Sequence, residues 1–383
     1  MSKIELKRCT KCIMPETQES IVFDEKGICH ACRQVEIKQT QINWKRQEEE
    51  LIKLIEQYRG KYSYDCIIPF SGGKDSSYTV FELVKKYKVK PLLVSFDHGF
   101  LRPKVLENRI KTVKKLGVDI LTFRSNWKVV KKLMLESLRL KGDFCWHCHT
   151  GVFAYPMQIA VKFNIPLIFW GEPSAEYSSY FSYEQQEEMD EKRFNKYTNL
   201  QINSDDMYKL LDDGSMDKRD LEPYKYPSIS ELNAINCRSV CLGSYIPWNV
   251  RMQAEIIRKE LDWQWDITEG IPETYGYQKI ECMLYGMRDY LLYIKKGFGR
   301  TAHLVSMDIR NNIMTREEGL RLANEYDGKK PESMNWFLDM MGITEDEFME
   351  IALKHIEPPH VFEPDKVKSG KKLWDQDQWD KTS

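Results

Sequence analysis

Eight residues constrain this chain more than any other stretch: Phe70-Ser71-Gly72-Gly73-Lys74-Asp75-Ser76-Ser77. They lie between a short apolar run at 65–70, read as a buried strand, and a helical pattern at 75–87. Two adjacent glycines let a backbone approach an anion closely and turn its N–H groups toward it. The helix that follows offers its N-terminal amides and the positive end of its dipole to the same anion. Lys74 adds a point charge, and Ser71 and Ser76 add hydroxyl donors. Asp75 would repel a phosphate, so it is assigned to Mg2+ coordination or to capping the helix. An ordinary capped turn is the plainer reading, and SGGKDS at a strand-to-helix junction argues against it. The sequence contains neither GxxxxGK followed by Ser or Thr nor GxGxxG, which removes the two commoner nucleotide loops.

The pattern around the loop gives the fold class. Apolar runs at 91–96, 119–123 and 166–170 alternate with helical patterns at 103–116, 127–140 and 152–163. This order implies right-handed βαβ units and an α/β fold with a mainly parallel sheet flanked by helices. The expected organisation is a cysteine-rich module at 1–35, a linker helix at 36–62, and the phosphate-binding core at 63–180. There follow an insertion or substrate and partner region at 181–270, with an acidic run at 184–191, a helical part at 271–360 that completes the site, and a polar tail at 361–383.

The cysteines come next. Cys9-x2-Cys12 and Cys29-x2-Cys32, sixteen residues apart, have the spacing of a four-cysteine zinc ribbon, a closed and therefore structural Zn2+ site. His30 reads as a bystander. Cys145 and Cys148 form a third pair with three readings: structural thiols, ligands of a second metal or Fe–S cluster, or sulfur chemistry. The 57 basic and 58 acidic residues give a net charge of -1, which argues against a chain whose main task is gripping nucleic acid. No stretch approaches the roughly 20 apolar residues of a membrane helix. The first twenty residues lack an apolar signal core, so a cytoplasmic protein is expected.

SGGKDS resembles the pyrophosphate loop of the PP-loop (N-type) ATP pyrophosphatases. These include argininosuccinate synthetase, GMP synthetase, asparagine synthetase, tRNA thiolases and lysidine synthases. The resemblance implies that ATP is cleaved between its α and β phosphates, with AMP placed on a substrate oxygen. It implies that the end of the second strand, Ser95, Phe96 and Asp97, cradles adenine through its backbone. Gly171 and Glu172 would enter the same crevice, with Glu172 either a Mg2+ ligand or a surface acid.

The layout is more closely similar to one branch, the N-acetyl sugar amidotransferases of surface-polysaccharide and flagellin-sugar biosynthesis. The segments that carry this are CTKCIMPET at 9–17, IVFDEKGICHAC at 21–32, SGGKDS, GEPSAEY at 171–177, SYIPW at 244–248, KGFGR at 296–300, His303, Asp308, and MTREE at 314–318. The CWHC segment at 145–148 departs from the pattern. The resemblance implies that the acetamido oxygen of a nucleotide-linked N-acetyl sugar is adenylated and replaced by ammonia, giving an acetamidino sugar. A separate glutaminase subunit would supply the ammonia; the chain begins Met1-Ser2 and has no GxCxG elbow. Lys296 and Arg300, with Lys295, become candidates for clamping phosphate or a sugar carboxylate, His303 and Asp308 for supporting them, and Glu176 and Tyr177 for touching sugar. The plain reading of the basic residues is a basic loop and a capped helix. Trp248 reads as core packing. The competing enzyme class is tRNA modification, thiolation or lysidine-type, through Cys145 and Cys148.

Overall fold

The computed structural model describes residues 6–173, 175, 181–183, 204–211 and 216–369. Five parallel strands form the central sheet in the order β3-β2-β1-β4-β5: β1 Cys66–Pro69, β2 Pro91–Asp97, β3 Asp119–Arg124, β4 Leu167–Trp170 and β5 Arg238–Cys241. β1 is central, paired with β2 from Cys66↔Pro91 to Pro69↔Val94 and with β4 at Ile67↔Ile168. Every residue of β2 is buried, as a parallel strand covered on both faces should be. The crossovers are α3 Lys74–Lys85, α4 Pro103–Leu116, α5 Trp127–Lys141 and α6 Trp146–Phe163.

α3 places the loop. It buries Ser77, Tyr78, Val80 and Leu83, against the sheet and the helix Val250–Leu261. Leu83 is fully buried, so Leu83→Ala would cost roughly 2–5 kcal/mol and loosen the helix whose first turn carries Lys74.

Two sequence expectations are corrected here. The sheet does not end at β4: Arg238-Ser239-Val240-Cys241 adds a fifth strand inside the region read as an insertion, from Leu167↔Arg238 to Trp170↔Cys241. Four residues with one branched apolar side chain carry too little pattern to be read as a strand. The linker is two helices rather than one. α1, His30–Thr40, starts inside the second cysteine knuckle, and α2, Trp44–Tyr58, starts where the Asn43 side chain accepts the Arg46 N–H. Within the polar tail, Lys368–Ser369 pair in parallel with Lys329–Lys330.

The C-terminal part is helical as expected: Tyr285–Lys296, Arg300–Arg310, Arg316–Tyr326, Met334–Met341 and Glu345–Leu353. Met287, Ile294, Phe337 and Phe348 form a second core with Val130, Met134 and Leu138 of α5. No described helix is long and apolar enough to cross a membrane.

Candidate active site

The loop leaves β1 where the Phe70 N–H donates to the Val94 carbonyl, 2.8 Å away. Gly72 takes φ +86°, a left-handed backbone that disfavours side chains. A Cβ there would lie 2.2 Å from Cγ of Arg109, and one on Gly73 would lie 1.9 Å from Oε1 of Glu281. Gly72 is therefore required by its neighbour as well as by the turn, whereas Gly73, extended at φ -72°, is tight only because the end of the Glu281 side chain lies against it. The Gly72 N–H points to Ser76 Oγ and the Gly73 N–H to Ser71 Oγ, each at 3.2 Å. From outside the loop, Trp263 Nε1 donates to the Gly72 carbonyl at 2.9 Å and pins it.

Lys74 is buried, with Nζ 2.5 Å from Asp75 Oδ2. Burial alone would lower its pKa; Asp75, Glu172 and Glu281 outweigh burial and hold the ammonium above its usual range. The lysine is thus a permanent cation inside three carboxylates. Asp75 does not cap α3, whose N-cap is Gly73 with no side-chain cap bond. Its Oδ1 is buried with no hydrogen-bond partner. An orphaned carboxylate oxygen beside a phosphate cradle fits a Mg2+ ligand.

At the end of β2 the ladder with β1 stops at Val94, while that with β3 continues to Asp97↔Arg124. The β1-side edge of Ser95, Phe96 and Asp97 therefore lies beside the loop, outside the described ladder. The side chains have other work. The Phe96 ring packs on Phe123, Tyr155 and Tyr224. Asp97 accepts from Arg124 at 2.7 Å and from the Gly99 N–H at 2.9 Å. Ser95 Oγ is buried without a partner.

Gly171 packs against α3, where a Cβ would meet Thr79 Oγ1 at 2.7 Å. Glu172 next to it lines two cavities, which makes it an acid of the site rather than of an outer loop. The smaller, ≈ 40 Å³, is walled by Lys38, Trp248, Arg251, Tyr275, Tyr277 and Asp308. The larger, ≈ 270 Å³, gathers Lys279, Arg288, Lys295, Lys296, Arg300 and His303. Four of the sequence candidates from 295–303 thus meet around one space.

Each basic group there is held differently. Lys296 is 3% exposed, with Nζ 2.6 Å from Glu19 and 3.3 Å from Glu357. Arg300 Nε lies 3.7 Å from Asp289. Lys295 donates to the carbonyls of Lys141 and Gly142 at the end of α5, a structural role corrected from the clamp expected. Burial, then Arg300, Arg310 and Lys279, keeps His303 well below the usual imidazole range, so it is neutral at ordinary pH. Asp308 does not support this cavity: it accepts from Arg251 and from the Tyr275 hydroxyl beside the smaller one. Trp248 is buried edge-on to Tyr78, as core. Glu176 and Tyr177 lie outside the described residues.

Sequence reasoning missed Lys279, Glu281 and Trp263. They sit on the stretch between Leu261 and Tyr285, irregular apart from a 3-10 turn at Glu273–Tyr275, which crosses over the phosphate loop. Trp263 falls in the part expected to be an insertion and Lys279 and Glu281 in the part expected to be helical, and nothing local in Lys279-Ile280-Glu281 marks a catalytic segment.

The four N-terminal cysteines converge. Their sulfurs all lie within 4.8 Å of one another, with Cys9–Cys32 at 3.8 Å and Cys12–Cys29 at 3.6 Å. A tetrahedral ion with metal–sulfur bonds of about 2.3 Å requires sulfurs about 3.8 Å apart. The bare thiols cannot ionise together. Hydrogen bonds from Cys12, Cys29 and Cys32 hold Cys9 low, and one from Cys29 brings Cys12 to about 7, while Cys29 and Cys32 are pushed up by Cys12. A divalent cation resolves that competition. Cys145 and Cys148 join no such group: among the described residues the ribbon is the only cluster of three or more ligands this tight. Burial pushes up both thiols and brings nearby Cys282 to about 12. They are therefore thiols rather than reactive thiolates near neutral pH.

Residues 269–376 match the family described as "LPS biosynthesis protein WbpG-like, C-terminal domain". An uncharacterized protein of Methanocaldococcus jannaschii is 24% identical over 221 residues, 57% of this chain and 76% of that one. GMP synthase (glutamine-hydrolyzing) of Pyrobaculum aerophilum is 28% identical over 89 residues, 23% of this chain and 18% of its own length. Among solved structures, NMN synthetase from Francisella tularensis overlaps 60% of this chain and 99% of its own at 14% identity and a TM-score of 0.27. The tRNA thiolase NcsA from Methanococcus maripaludis, with its 4Fe–4S cluster, overlaps 81% and 88% at 10% identity and a TM-score of 0.28. Overlaps this weak leave the sheet order and the loop as the grounds for the fold. SGGKDS at the junction of β1 and α3 of a parallel sheet is thus a loop like that of the PP-loop ATP pyrophosphatases, and downstream of it residues 269–376 are similar to the WbpG-like C-terminal domain.

Proposed function

We propose that the protein adenylates the acetamido oxygen of a nucleotide-linked N-acetyl sugar and replaces that oxygen with ammonia, forming AMP, pyrophosphate and an acetamidino sugar. One observation carries this reading. The WbpG-like part supplies Glu281 to the phosphate loop and Lys279, Arg288, Lys296, Arg300 and His303 to the adjoining cavity. A domain named for lipopolysaccharide biosynthesis thus forms most of the wall beside the nucleotide loop, where an oxygen awaiting AMP would sit.

In this reading Ser71, Gly72, Gly73 and Ser76 wrap the outer phosphates, and Lys74 neutralises charge on them. The acetamido oxygen attacks the α-phosphorus and pyrophosphate leaves into the loop. Preorganised donors at such a site gain most because the charge develops away from water. Mg2+, held by Asp75 with Glu172, would add Lewis acidity toward the phosphates. Lys296 and Arg300 orient the sugar's anionic groups. Ammonia comes from a glutaminase subunit, and the ribbon ion is Zn2+. Substrates of this kind belong to the cytoplasm. The protonated state of the half-buried Cys145 and Cys148 weighs against the alternative of sulfur transfer to tRNA.

The test is pyrophosphate release by purified protein given ATP, ammonia and a panel of nucleotide N-acetyl sugars. Release should require the sugar, and mass spectrometry should find NH in place of O. Release driven by tRNA, or ADP and orthophosphate as products, would sink the proposal.

A further inference from the structure

Lys279 lies where the two halves of the site meet. The charges that act on it are Lys74 of the phosphate loop, Glu281 of its own stretch, which lies against that loop, and Arg300 and Glu172 of the cavity. It lines the ≈ 270 Å³ space with Glu172, Arg300 and His303. Its backbone is left-handed, φ +57°. For a residue with a side chain this costs about 1–2 kcal/mol and persists where the surroundings impose it.

The amine stands apart from its cationic neighbours. Lys74 is paired with Asp75, Lys296 with Glu19, and Lys295 is spent on helix carbonyls. Among the described residues Lys279 Nζ has no hydrogen bond or ion pair, only the Tyr285 ring 5.9 Å away. It is therefore the basic group of this cavity free to meet a substrate.

We propose that Lys279 is a catalytic residue of this site, the base that takes a proton from the attacking ammonia nitrogen. The assignment rests on the amidotransferase reading above. Ammonia adds through its lone pair to the carbon of the adenylated acetamido group, giving a tetrahedral centre with a positively charged nitrogen. The lone pair on Nζ accepts one N–H proton, and Lys279 becomes an ammonium. The carbon–oxygen bond to AMP then breaks, its electrons leaving with the phosphate oxygen, and the sugar nitrogen's lone pair closes the amidinium. The new cation is released beside Glu172, and Nζ returns its proton to solvent.

The electrostatics suit the task. Burial, then Arg300, lowers the Lys279 pKa to about 8 against the pull of Glu281 and Glu172. A base whose pKa is near the working pH combines an available lone pair with useful strength. His303 and His149, the imidazoles of this cavity, are kept too weakly basic by burial, His149 at about 3.

The experiment compares wild type, Lys279→Arg and Lys279→Met with ATP, nucleotide N-acetyl sugar and ammonia. It reads pyrophosphate formed in the first turnover without ammonia, amidine formed with it, and the pH dependence of amidine formation. Lys279→Arg keeps the charge and cannot give up its proton. It should retain the pyrophosphate burst within a few-fold, while amidine formation falls about 10²-fold or more and loses the rising limb near pH 8. Amidine formation by Lys279→Arg at the wild-type rate and pH profile overturns the assignment of Lys279 alone. Wild type that releases no sugar-dependent pyrophosphate overturns the amidotransferase reading and this assignment with it. Independently of substrate, 15N-lysine NMR of the wild-type protein should find one amine titrating near 8; all lysines titrating above about 10, their ordinary range, would also overturn it.

Discussion

The Thr17 hydroxyl donates to the main-chain carbonyl of Lys296 at 2.6 Å, across 279 residues of sequence. Two residues on, Glu19 meets Lys296 Nζ at 2.6 Å. The segment between the two cysteine pairs thus holds a cation of the larger cavity from both ends. The ribbon is more than a staple: it builds one wall of the site. Cys12→Ser should lose the bound metal and lower the melting temperature, because metal binding supplies folding energy to such modules. Thr17→Val should keep the metal, cost about 1 kcal/mol, and still reduce turnover. Metal content, thermal unfolding and activity of the two variants separate these effects; unchanged turnover in Thr17→Val would detach the ribbon from the site.

Lys74→Met should reduce pyrophosphate release by about 10²–10³-fold or more, the scale on which a preorganised group acts on developing charge. The variant also leaves Asp75, Glu172 and Glu281 facing one another without their cation. Its affinity for ATP should therefore fall together with its rate. Calorimetric titration with a non-hydrolysable ATP analogue checks this, and binding at wild-type affinity would remove Lys74 from the anion cradle.

What the sequence made legible follows the range of each signal. The loop could be read because its chemistry is local: glycines, lysine and hydroxyls act within eight residues of one another. The ribbon could be read because four thiolates able to share one ion must be spaced this way. The strands β1 to β4 are apolar runs, whereas β5 offers Arg-Ser-Val-Cys and owes its place to the edge of β4. Glu281 and Trp263 reach the loop from some two hundred residues downstream, a pairing that no local pattern encodes. Asp308 was grouped with His303 through the family resemblance. Five residues along a helix turn a side chain about 140° around the axis, and the two face different cavities.

The Trp263 indole anchors the loop through a single hydrogen bond to the Gly72 carbonyl, and its ring is 2% exposed. Trp263→Phe keeps most of the packing and removes the donor. It should cost about 0.5–1.5 kcal/mol in stability, and raise KM for ATP more than it lowers kcat, because the loop must be ordered by the nucleotide itself. Steady-state kinetics against ATP test the split. A fall in kcat at constant KM would assign the tryptophan to the chemical step instead.

Asp327 fixes the N-terminus of the helix Arg300–Arg310, its carboxylate accepting from the N–H groups of Thr301 at 3.0 Å and Ala302 at 3.3 Å. That helix carries Arg300 and His303 into the cavity. Burial raises the Asp327 pKa from 3.8 to about 6, and does the same for Asp289. The folded chain therefore holds these protons more tightly than the unfolded chain does. Their contribution to stability is complete below about pH 4 and is lost as pH rises through about 6. Asp327→Asn is neutral throughout and escapes its share of that loss. Urea midpoints measured from pH 4 to pH 7 should fall for the wild type across this window and fall less for the variant, so that the difference shifts toward Asp327→Asn as pH rises. Parallel curves would mean that Asp327 is already ionised in the folded protein at pH 4, with the helix amides outweighing its burial.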